Sequence, residues 1–109
     1  MIAGSAIRRA RAARNETIRI GVLGDQSGPY RDFSGPVSVA CARQAIADFG
    51  HTGMNVELLV GDHQNKPDIG AGIARQWFDQ DGVDMITDVP HSGVALAVSE
   101  VAREKNKVL

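Results

Sequence analysis

The chain has 109 residues and a formal net charge of −1, with 43% of its residues hydrophobic and 23% charged. That length fits one domain and leaves no room for a second core, and the aliphatic content excludes a disordered chain, which carries fewer apolar residues and a larger net charge. The charge balance lacks the concentrated Lys and Arg that nucleic acid requires, and no apolar run approaches the roughly 20 residues that cross a bilayer, so neither a nucleic-acid partner nor membrane embedding is expected.

Residues 1–16 carry Arg8, Arg9, Arg11 and Arg14 among alanines. They lack the continuous apolar stretch of about 7 to 15 residues found in secretory signals and read as a basic tail, with a short amphipathic helix or a degraded export signal as alternatives. From Thr17 the patterning alternates three times between strand-like and helix-like, the mark of consecutive βα units and a parallel sheet. Ile18, Ile20 and Val22 alternate with Arg19 and Gly21, which predicts a first strand over Thr17 to Leu23. Gly24 to Pro36, dense in Gly, Pro, Ser and Asp, reads as a long loop. In the helix that follows, Val39, Ala42, Ile46 and Phe49 share one face. The single cysteine, Cys41, lies beside that face, has no partner for an internal disulfide or a metal motif, and reads as a buried packing residue.

Val56, Leu58, Leu59 and Val60 form a nearly continuous apolar run, expected of a second strand covered on both faces. Asn65 or Lys66 then caps a helix with Pro67 in its first turn and Ile69, Ile73 and Trp77 on its core face. A third strand is predicted over Val83 to Val89, and Val94, Ala97, Val98 and Val101 give the third helix its apolar face. Lys107, Val108 and Leu109 look like the opening of a fourth strand. The expectation is therefore an α/β fold, a three-layer doubly wound parallel sheet of flavodoxin-like order 2-1-3, truncated after the third helix. An edge left exposed by such truncation predicts a homo-oligomer, by domain swapping among other routes.

Right-handed crossovers place the topological switch point between strands one and three, and ligands of open α/β sheets bind there, outside the carboxyl ends of the strands. Two segments qualify: Gly24 to Gly35 and Asp88 to Gly93. The first offers backbone donors, the Gln26 amide and the Tyr30 ring, although turn chemistry alone also accounts for Gly28 and Pro29, and Tyr30 serves equally as a cap on the core. The second runs through Pro90, His91 and Ser92 into a helix whose free N–H groups suit a carboxylate, with Ser92 read both as helix cap and as ligand contact. Gly21, Gly24 and Gly28 are spaced wrongly for a dinucleotide fingerprint and no phosphate loop occurs, so no cofactor is implied, although a flavodoxin-like domain shares the topology. His51, His63 and His91 lie in three separate loops with no metal-ligand spacing and read as surface histidines, those of the second and third strands flanking strand one without touching. Asp62 beside His63 has no nucleophile or second carboxylate for acid–base work and reads as a loop hydrogen-bonding residue. No catalytic residue is assigned, and an enzyme is not expected.

Ile18 to Tyr30 (IRIGVLGDQSGPY), Gly35-Pro36, Asp62 to Pro67 (DHQNKP) and Ala95 to Asn106 (ALAVSEVAREKN) together resemble the N-terminal part of the type I periplasmic binding proteins of branched-chain amino-acid ABC transporters. The resemblance covers about Glu16 to Leu109 and is carried by the combination of motifs. It implies part of the N-terminal lobe over residues 17–109, a periplasmic solute-binding role serving an ABC permease, and an amino acid or small organic acid as ligand. The absence of a clear signal leaves a cytoplasmic location as the alternative. It also implies that Gln26 and Tyr30 lie near the ligand mouth, that Pro90, His91 and Ser92 reach the cleft, and that Ser92 corresponds to the family serine holding the ligand carboxylate. His91 departs from the small polar residue commoner at that position. A contrasting expectation is a truncated, self-associating remnant with no physiological ligand.

Overall fold

The computed structural model describes residues 17–49 and 53–109; the basic tail and His51 lie outside them. Three parallel strands, β1 (Thr17–Gly24), β2 (Asn55–Asp62) and β3 (Met85–Thr87), form a sheet of order β2-β1-β3. Four helices accompany it: α1 (Arg31–Ser34), α2 (Pro36–Phe49), α3 (Pro67–Asp79) and α4 (Ser92–Lys105). The α/β order 2-1-3 is as expected. The long first loop contains one element absent from the sequence reading, the single turn α1.

The pleat of β1 divides the core between two faces. Leu23 joins Ala74, Trp77, Phe78, Ile86, Val94, Val98 and Val101 on the α3/α4 side. Val22, fully buried, borders instead an open groove of about 580 Å³ that Phe33, Val37, Cys41 and Thr87 also line, on the α2 side. The α3/α4 face is built around Trp77. A Cβ at Gly21 would run into the indole, and one at Gly61 would stand 2.9 Å from it, so these two glycines on adjoining strands admit the ring.

Helix α3 is rotated from its predicted orientation. Gly70, Ala71, Ala74, Trp77 and Phe78 are buried, whereas Ile69 and Ile73 are only half-buried. Close contact between α3 and α4 explains the rotation: a Cβ at Gly70 would collide with Val94, so the small residues must face the partner helix. Helix α4 buries Val94, Val98 and Val101 as predicted.

Three further expectations change. Cys41 is exposed, not buried, because among the described residues no second long helix packs beside α2; Val39, Ala42 and Ile46 turn half inward while Phe49 is 72% exposed. The second strand is an edge of the sheet, so Val60 remains 42% exposed and cover is partial. The third strand is three residues long because Asp88 takes φ 59°, a left-handed conformation that stops pairing. Before it, Asp84 N–H still donates to Arg19 O at 2.8 Å. Beyond α4, Asn106 in the left-handed conformation turns the chain back, and Val108 bridges Met85 in parallel, where a fourth strand was expected to open.

Candidate functional site

The loops that follow β1, β2 and β3 meet at the carboxyl end of the sheet, and a buried carboxylate organises them. Asp25, directly after β1, is fully buried; its Oδ1 accepts from Gly28 N–H at 2.7 Å and its Oδ2 from Tyr30 N–H and Asn65 Nδ2, both at 2.9 Å. Burial opposes the charge, but hydrogen bonds from the Tyr30, Gly28, Asn65 and Ser27 groups outweigh it and hold the carboxyl below its ordinary value. Asp62 ends β2 and accepts from Gln26 N–H and Gln64 N–H at 3.1 Å each and from Ser27 Oγ at 2.6 Å. The first loop is thus pinned by two carboxylates, and Asp62 has the hydrogen-bonding role expected of it.

Two imidazoles follow. His63 is fully buried, which corrects its reading as a surface residue, and its Nδ1 accepts from Asn65 N–H at 3.0 Å. The consecutive left-handed residues Gln64 and Asn65, at φ 55° and 57°, make the tight turn that carries this bond. Burial lowers the His63 pKa, Asp25 and Asp62 oppose the shift, and His91 adds to it. His91, expected to stay apart from His63, meets it edge-on with ring centroids 6.3 Å apart. His91 is also the N-cap of α4, its Nδ1 accepting from Val94 N–H at 3.2 Å, which corrects the assignment of Ser92 as cap; Ser92 is the first helical residue and is exposed.

Of the five sequence-derived site residues, Tyr30 and His91 are brought together, with ring centroids 6.0 Å apart, and Tyr30 also lies 5.1 Å from Phe33. Pro90 is half-buried beside them in the chain. Gln26 is held on the β2 side through Asp62, and its Nε2 is buried without a partner, as are His63 Nε2 and Asn65 Oδ1. Sequence reasoning missed Asp25, His63 and Asn65. The signal for Asp25 was available, since Asp three residues before Gly28 is the composition of a side-chain-closed turn. Among the described residues no group of three or more His, Cys, Asp or Glu side chains could hold a metal ion.

A parallel 2-1-3 sheet whose first and third loops meet at the switch point is the arrangement of an open α/β ligand-binding domain. The periplasmic binding protein family model matches residues 17–109, and the chain belongs to that family. A periplasmic binding protein from Burkholderia mallei is similar at 40% identity and TM-score 0.80 over 84% of this chain and 25% of its own. A branched chain amino acid ABC transporter periplasmic ligand-binding protein from Burkholderia xenovorans is 46% identical, with TM-score 0.78, over 83% of this chain and 25% of its own. An ABC transporter substrate-binding protein from Sphaerobacter thermophilus is 30% identical, with TM-score 0.76, over 85% and 26%. The chain therefore spans about a quarter of the length of these relatives. A search of curated proteins found no match.

Proposed function

We propose that this chain carries one wall of the ligand cleft of an ABC transporter solute-binding protein and binds an amino acid or related small organic acid without catalysis. The observation that carries the reading is the approach of Tyr30 to His91, which joins loops from two different strands at the switch point. Gln26, Tyr30, Pro90, His91 and Ser92 line the wall, with residues 17–109 forming part of an N-terminal lobe. Membership of the family and the description of the Burkholderia xenovorans relative support a periplasmic location and an ABC permease as partner. No helix of the described residues is long and apolar enough to cross a membrane.

A thermal-shift titration with leucine, benzoate, flavin mononucleotide and ATP tests this reading. Ligand at a hundredfold excess over Kd adds about 2.7 kcal/mol to the folded state. A saturable rise with leucine or benzoate supports the proposal, and no rise with either, from a cooperatively melting sample, contradicts it.

A second reading is self-association. Helix α2 buries no residue, and Phe33 and Val37, 65% and 55% exposed, border the open groove beside it. Light scattering after size exclusion should then report a dimer or larger species; a monomer across a wide concentration range would sink this reading.

A further inference from the structure

The turns after β2 and β3 are closed in the same way, by an imidazole lone pair that faces a backbone amide. His63 Nδ1 accepts from Asn65 N–H at 3.0 Å, and His91 Nδ1 accepts from Val94 N–H at 3.2 Å. A ring nitrogen that accepts carries no proton, so in each neutral ring the proton sits on Nε2. A second proton has only Nδ1 to enter, and there it sets a donor against the backbone donor. His63 gains nothing at its far side in exchange, because its Nε2 is sealed in the protein without a partner. The two rings meet edge-on with centroids 6.3 Å apart, so a charge on one opposes a charge on the other.

We propose that His63 and His91 form an acid-sensitive latch: a proton taken up at Nδ1 breaks the bond that closes its turn, and the loop after β3 swings away from the loops after β1 and β2 while the sheet stays folded. The latch follows from the geometry of the two turns and does not depend on the cleft reading; what it holds closed is the contact of Tyr30 with His91. Gln64 and Asn65 sit at φ 55° and 57°, a left-handed pair that the His63 bond holds in place. At α4, a protonated His91 would lose its cap and put a cation at the positive end of the helix dipole. Burial resists a charge on His63, Asp25 and Asp62 favour it, and His91 opposes it. Asp88 is the carboxylate of the His91 loop itself, exposed, and neither it nor Asp62 accepts from Asn65 N–H or Val94 N–H. Asp25 does not take over either, its oxygens being engaged by Gly28, Tyr30 and Asn65 Nδ2. The remaining charges beside these loops come in opposed pairs, Lys66 and Asp68 on either side of Pro67, and Arg31 with Asp32.

Two measurements on the 109-residue chain test the proposal. Long-range ¹⁵N–¹H correlation at pH 8 should show Nδ1 unprotonated and Nε2 protonated in both rings; the opposite tautomer in either one overturns the latch. Amide hydrogen exchange, corrected for the intrinsic rate, then compares pH 7 with pH 4.5, on the two sides of the ordinary imidazole range. The Asn65 and Val94 amides should lose protection by about fivefold or more relative to Val22 in β1 and Val101 in α4, the scale of one lost cap. His91→Asn keeps a good cap without an ionisable ring, so Val94 should lose its pH response while Asn65 retains its own; His63→Gln should do the converse. Protection at Asn65 and Val94 that holds level with the reference amides at pH 4.5 overturns the proposal. So does a uniform loss over all four amides, which is global unfolding, or a response at Val94 that persists in His91→Asn.

Discussion

Asn65 donates through Nδ2 to Asp25 at 2.9 Å, so the loop after β1 and the turn after β2 are joined through a carboxylate with no access to solvent. Removing that carboxylate leaves the Gly28 and Tyr30 amides and the Asn65 side chain without their acceptor. Asp25→Ala should therefore destabilise the chain by about 3 kcal/mol, from the cost of stranding buried donors. Urea denaturation at pH 7 measures it, and a loss below about 0.5 kcal/mol, the range of an ordinary surface substitution, would contradict the role.

The depressed pKa of Asp25 makes a separate prediction, at acid pH. The folded state favours the carboxylate, so its contribution is complete above the unfolded value of about 3.9 and is lost as pH falls through the lower folded value. His63 acts at higher pH. Its pKa is lowered in the fold, so the unfolded state takes up the proton first, and stability should decline as pH falls below about 6.5 toward the folded value. Denaturation midpoints between pH 8 and 5 should show that decline in the natural chain and a flatter profile in His63→Gln.

Gly21 and Gly72 give opposite outcomes for one substitution. Gly21→Ala drives a methyl into the Trp77 ring and should cost about 1–3 kcal/mol, the range of core overpacking, with a change in tryptophan fluorescence. Gly72 lies in α3, exposed, with nothing within 4 Å of an added Cβ. Gly72→Ala should stabilise by about 0.5–1 kcal/mol through helix propensity.

The cap of α4 separates stability from binding. Ser92 makes no cap bond, so Ser92→Ala should leave stability within about 0.5 kcal/mol while weakening any carboxylate ligand, whereas His91→Ala should cost about 1 kcal/mol in lost capping. Thermal melts with and without benzoate distinguish the two.

What the sequence disclosed follows from which forces are local. The alternation of Ile18, Ile20 and Val22 and the spacing of Val94, Val98 and Val101 reflect burial on one face, and both elements form as patterned. The orientation of α3 was hidden because it depends on how closely another helix approaches Gly70, a contact between distant segments. The same holds for the site. Its switch-point position follows from topology, but the burial of His63 depends on the left-handed turn at Gln64 and Asn65, and the approach of His63 to His91 depends on where two loops end in space. The identity of the cap depended on one residue of register at a helix terminus, where His91 and Ser92 are both capable.

Whether the loops after β1 and β3 form one ligand wall is read by amide shift mapping with leucine and benzoate on the folded chain. One wall should give saturable shifts concentrated at Gln26 to Tyr30 and at His91 to Gly93, with the edge of β2 and the C-terminal turn of α4 unmoved. Shifts scattered over α2 and the open groove, or none at millimolar ligand, would contradict it.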